Sequence, residues 1–163
     1  MDGRDRPATP INTPVPWPGT WHTPHQSPKQ QSSRRFIGTV ISSKALLVED
    51  TVVDSMVLSF MLRRFHCEVT LAKNGKEAVD MFLEGNKFDI VVCDKDMPIM
   101  TGPEAIMKIR AMGATDVKIV GVSADDNAME VFMSAGADDF VPKPMRLEVL
   151  GPMIQEVINR KNI

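Results

Sequence analysis

From residue 38 onward the sequence predicts an α/β domain, a doubly wound, five-stranded parallel sheet with helices on both faces. Three observations carry that prediction. Short β-rich runs alternate with amphipathic helical stretches, the runs "DIVVC" and "KIVGV" are apolar or nearly so throughout, and five such runs fit within residues 38–163. Strict alternation implies parallel strands, because each right-handed crossover returns the chain in the same direction. Continuous apolar runs suit strands covered on both faces.

The first strand reads as 44–49 and leads into a helix over 52–65, where Val53, Val57, Phe60, Met61 and Phe65 share a face. A strand over 67–72 precedes a helix over 76–84, and a strand over 88–93 precedes a helix over 103–112. That third helix opens with Thr101 and Glu104 in capping-box spacing and Pro103 in the first turn, and it aligns Ile106, Ile109 and Met112. The fourth strand spans 117–122, and the helix at 127–135 carries Met129, Phe132 and Met133 as core or interface residues. The fifth strand is 139–141. The last helix, 146–160, meets Gly151-Pro152, which predicts a kink or a restart at Pro152.

Residues 1–37 read differently. Seven of the chain's twelve prolines lie in residues 1–35, with no apolar period between them, so this stretch is expected to be a disordered tail. Thr9, Thr13, Thr23 and Ser27 each precede proline, the pattern that proline-directed kinases read, although a plain linker explains them more simply. His22 and His25 are too isolated to argue for metal. The tail holds five basic and two acidic residues, which against a whole-chain charge of −2 leaves −5 for the domain. Such a balance excludes strong steering toward nucleic acid or an anionic membrane. No apolar run approaches the roughly 18 residues of a membrane span, and no secretory signal opens the chain. Cys67 and Cys93 read as reduced core residues, so the expected location is cytoplasmic, with the nucleus left open.

The chemistry lies at the strand ends. In open α/β sheets the binding crevice sits beyond the carboxyl ends of the strands. The first strand ends in Glu49 and Asp50, the third in Asp94-Lys95-Asp96, the fourth in Ser123 and the fifth in Lys143 before Pro144. The second strand ends in "TLAKNG" and offers only a turn, which suits an edge strand in the order 2-1-3-4-5. Glu49, Asp50 and Asp94 would crowd three negative charges together, a costly arrangement unless a cation joins them. A divalent ion and the Lys143 ammonium balance them, and an oxygen-only donor set favours Mg²⁺. A carboxylate beside such an ion can attack phosphorus to form an acyl phosphate. Ser123 would then donate to one phosphoryl oxygen and Lys143 would neutralise another. Each residue also has a plainer reading: Glu49-Asp50 as helix caps, Asp94 and Ser123 as turn residues, Lys143 as a loop lysine. His66 reads as a surface residue and Cys93 as sheet filling.

With "LLVED", "DIVVCDKDMPIMTG", "IVGVSA" and "AGADDFVPKP" in this order, residues 44–160 resemble a response-regulator receiver domain of two-component signalling. The resemblance implies a flavodoxin-like fold with Asp94 as phosphoacceptor. It implies Mg²⁺ held by the side chains of Asp50 and Asp94 and the backbone carbonyl of Asp96, with Glu49 acting near the metal through water. Ser123 becomes the switch hydroxyl, Lys143 the phosphate-contacting lysine on a cis Lys143-Pro144 bond, and Phe140 the aromatic switch. Asp-Lys-Asp followed by Met-Pro, with "KIVGVSA", most resembles the plant type-C response regulators. Those are receiver-only proteins fed by histidine phosphotransfer proteins, and the likeness leaves cytokinin signalling open as the pathway. The Pro-rich tail is not something the resemblance predicts.

Three functions compete on these residues. In the first, a monomeric receiver takes phosphate from a histidine phosphotransfer protein or histidine kinase and hydrolyses its own acyl phosphate. With nothing after residue 163 to supply an output, it acts as a sink, and Asp96 and Asp125 flank the water path. In the second, phosphorylation moves Ser123 and Phe140 and switches a binding surface on the fourth and fifth helices. The third is a haloacid-dehalogenase-type phosphatase, suggested by Asp94-Lys95-Asp96 with serine and lysine downstream. Against it, the acidic pair precedes that motif, and only Glu148 and Glu156 follow Lys143.

Overall fold

The computed structural model describes residues 42–162, so the tail and its boundary at residue 38 lie outside the described residues. Strands and helices alternate as β1 (Lys44–Val48), α1 (Val52–Arg64), β2 (Glu68–Ala72), α2 (Gly75–Leu83) and β3 (Ile90–Asp94). They continue as α3 (Gly102–Ala111), β4 (Lys118–Ser123), α4 (Ala128–Ala135), β5 (Asp139–Pro142) and α5 (Leu147–Lys161). The sheet order is β2-β1-β3-β4-β5 with every pairing parallel, so β3 lies at the centre. Element ends fall within two residues of those read from the sequence.

Strand side chains alternate between two apolar layers. Leu46, Val48, Val91, Cys93 and Ile119 pack with residues of α2, α3 and α4, among them Ala78, Ile106, Ile109 and Phe132. Ala45, Leu47, Ile90, Val92, Val120 and Val122 pack on the other face with Leu58 and Leu62 of α1 and Leu150 and Ile154 of α5. Every residue of β3 and β4 is buried, as the uninterrupted apolar runs require. The fully buried Phe132 lies against Gly121 of β4, where a Cβ would run into the ring.

Three expectations change. In α1 the buried residues are Ser55, Leu58 and Leu62, with Met61 and Phe65 packed beside them, while Val53, Val57 and Phe60 are 66%, 44% and 63% exposed. Apolar residues occur all round this helix, and the sheet takes the row on which Leu58 and Leu62 stack four residues apart. In α3, Ile106 and Ile109 are buried but Met112, the C-cap residue, is partly exposed, because the helix has ended there. α5 runs as one helix with Pro152 inside it, so of the two alternatives, a kink or a restart, the restart falls.

Candidate functional site

β1 and β3 are neighbours and end side by side, so their terminal acids meet. Glu49 follows β1, is only 1% exposed, and accepts through Oε1 from the Thr51 N–H at 3.1 Å. Asp94 closes β3 and is 9% exposed, whereas Asp50 is exposed. Carboxylate oxygens of Glu49, Asp50 and Asp94 all lie within 4.8 Å of one another. Lys143 enters from the β5 end, its backbone N–H bonded to the Ser123 carbonyl at 2.9 Å and its peptide bond to Pro144 cis. Its ammonium stands 3.1 Å from Glu49, 3.1 Å from Asp94 and 2.8 Å from Asp54.

Ser123, at the β4 tip and 4% exposed, accepts through its hydroxyl oxygen from the Asp125 N–H at 3.0 Å, which leaves its own O–H free to donate. Asp125 is in turn held by the Lys95 ammonium at 2.8 Å. Asp96 is exposed on the loop after β3. That loop closes tightly: Met100 N–H bonds the Pro98 carbonyl at 2.7 Å around Ile99, whose φ is 71°, a γ-turn. Gly102 then lies so close to the Asp94 carbonyl that any side chain there would collide with it. Phe140 is half-buried in β5, its ring 5.9 Å from that of Phe132.

Burial pushes both Glu49 and Asp94 above the ordinary carboxylate range, and the nearby Lys143 only partly offsets it. Burial also works against the Lys143 charge, but Asp54, Glu49 and Asp94 outweigh it and hold the ammonium above its usual range. Burial raises the Cys93 thiol as well, so it stays protonated and serves the sheet. Three carboxylates thus contact one ammonium, and a fourth, Asp50, adjoins two of them. Their oxygens are the donors a hard divalent cation takes, and Glu49, Asp50 and Asp94 are the three placed to share one.

The structure therefore brings together Glu49, Asp50, Asp94 and Lys143, sets Ser123 on the neighbouring tip, and leaves Asp96 on the rim. One residue and one pairing join the site beyond those read from the sequence. Asp54 was hidden inside the α1 pattern, in the first turn of the helix. The pairing of Lys95 with Asp125, thirty residues apart, left no sequence signal.

A family model described as the response regulator receiver domain matches residues 45–155. The two-component response regulator ORR42 of Oryza sativa is 62% identical over 119 residues, covering 73% of this chain and 89% of the relative. The chain belongs to the response-regulator receiver family. It is a receiver domain of two-component phosphorelay signalling, and the phosphatase reading falls. The rice relative extends little beyond its matched region, in keeping with the likeness to receiver-only plant regulators. Among solved receivers, that of a sensor histidine kinase from Pseudomonas aeruginosa is 30% identical with a TM-score of 0.66, covers 72% of this chain and 98% of its own, and has a magnesium ion coordinated in its active-site cleft. The receiver of Ssk1 from Saccharomyces cerevisiae, crystallised with the histidine phosphotransfer protein Ypd1, is 28% identical with a TM-score of 0.67, covering 77% and 94%. Among the described residues no helix is long and apolar enough to cross a membrane.

Proposed function

We propose that this receiver accepts a phosphoryl group on Asp94 from the phosphohistidine of a histidine phosphotransfer protein or histidine kinase, and later loses it to water. The observation that carries the proposal is the placement of Asp94: a buried carboxylate at the central strand tip, 3.1 Å from Lys143 and grouped with Glu49 and Asp50. Asp94 Oδ attacks phosphorus, the P–N bond breaks, and its electron pair leaves with the imidazole. Lys143 pairs with charge developing on the phosphoryl oxygens, and the Ser123 hydroxyl donates to another of them. In the return step water attacks phosphorus, the P–O bond to Asp94 breaks, and orthophosphate leaves. Glu49, Asp50 and Asp94, with the Asp96 carbonyl, would hold Mg²⁺, which supplies charge neutralisation to phosphoryl transfer when bound.

Directly after the acidic pair, α1 exposes Val52, Val53, Met56, Val57 and Phe60, each 44–70% accessible. This apolar face beside the acceptor, uncovered among the described residues, suits a phosphotransfer protein as partner, and the yeast complex offers a precedent for that partner class. A second reading, a phosphorylation-switched binding surface, is favoured by Met129, Val131 and Met133 of α4, which are 56%, 44% and 41% exposed on the helix that also carries Phe132 against Phe140.

The test uses phosphoramidate as donor with Mg²⁺, followed by intact-mass measurement. Wild type gains one phosphoryl group and Asp94→Asn gains none; equal uptake by both would overturn the assignment of Asp94. Decay within minutes without a phosphorylation-dependent partner favours the sink, and persistence with such a partner favours the switch.

A further inference from the structure

An ammonium has three N–H donors, and three carboxylates surround that of Lys143: Asp54 at 2.8 Å, Glu49 at 3.1 Å and Asp94 at 3.1 Å. Two of the three, Glu49 and Asp94, also belong to the group whose oxygens lie within 4.8 Å with Asp50. A divalent cation drawn to that group competes with the ammonium for the same oxygens and repels it. Asp54 is the one partner of Lys143 outside the contest. It projects from the first turn of α1, and beside the pair lies a cavity of about 160 Å³ lined by both residues and by Val57, Leu58, Pro144 and Met145. The lysine stem therefore has room on the α1 side.

We propose that Asp54 is a positioning residue for Lys143. It draws the ammonium toward α1, so that a cation can occupy Glu49, Asp50 and Asp94 while the lysine stays within reach of the Asp94 oxygen. When the cation takes Glu49, the contact with Asp54 remains and fixes the lysine. The inference rests on the function proposed above. The plainer alternative is an ion pair that only staples α1 to the β5–α5 loop. Asp54 is 40% exposed, and such half-solvated pairs add little to stability. A staple has no bearing on the cation.

Mg²⁺ affinity measured by calorimetry on the full chain separates these readings. Asp54→Asn is expected to weaken Mg²⁺ binding about fivefold, the scale of one ordinary net hydrogen bond at a half-solvated site, because the ammonium falls back on Glu49 and Asp94. The same substitution in a Lys143→Met background should change affinity by less than about twofold, since a residue acting through the lysine has no effect without it. An unchanged affinity in Asp54→Asn overturns the proposal. So does an equal loss in both backgrounds, which would mean that Asp54 acts on the cation by its own charge. Wild type that neither binds Mg²⁺ nor takes the phosphoryl group would sink the underlying function. Wild type that does both, beside an indifferent Asp54→Asn, would sink only the role of Asp54.

Discussion

Lys118 opens β4 at the amino end of the sheet and Lys143 follows β5 at the carboxyl end, and each ammonium meets carboxylates from other elements. Lys118, with its side chain 6% exposed, pairs with Asp139 at 3.1 Å and Glu156 at 3.0 Å, which are 39% and 56% exposed. Here the cation is the buried member, and its acids keep contact with water. Around Lys143 the arrangement is inverted: Glu49 is fully buried in its side chain and Asp94 12% exposed, with Asp50 and Asp54 nearby. The first cluster is complete as it stands. The second has an excess of acid that no further cation among the described residues is seen to neutralise, and that excess suits the acceptor pocket proposed above.

The comparison can be broken in order of expected effect. Lys143→Met should slow phosphoryl uptake from phosphoramidate by about a hundredfold, the usual loss when one preorganised charge stabiliser is removed; near-normal uptake would place the lysine outside the chemistry. Lys118→Met should leave uptake alone but lower unfolding stability by about 1–2 kcal/mol in urea titrations, less than for a fully buried pair because its acids are solvated. If uptake falls instead, the two ends are not independent. Mg²⁺ at about ten times its dissociation constant should raise wild-type stability by ~1.4 kcal/mol, and Asp94→Asn should gain less. Equal gains would put the cation elsewhere.

The smallest effect is on pH dependence. Folding raises the proton affinity of Glu49 through burial. Between the ordinary carboxylate pKa and the raised folded value, the folded state binds more protons than the unfolded chain, so stability falls as pH rises through that window. Glu49→Gln removes this penalty. Its stability relative to wild type should therefore climb from acid toward neutral pH; a flat or falling difference would contradict the buried-acid account.

Much of this was legible in the sequence because parallel sheets write their sites at strand ends. "LLVED", "VVCDKD", "GVSA" and "VPKP" each break an apolar run with a polar residue, and sheet order makes neighbours of the breaks. The face of α1 was not legible. Leu58 and Leu62 compete there with Val53, Val57 and Phe60, and only the sheet beneath decides between two apolar sides. Asp54 and Lys118 escaped for a related reason: each partner lies far along the chain, as with Lys143 eighty-nine residues from Asp54. A lone charge in a helix or at a strand start gives no sign of whom it will meet.

Asp54 sits between two of the bare valines of α1, directly after Val53 and three residues before Val57. Anything that settles on those valines also strips water from the carboxylate lodged among them. In drier surroundings its grip on the lysine strengthens, so contact on the outside of the helix is felt by the ammonium within.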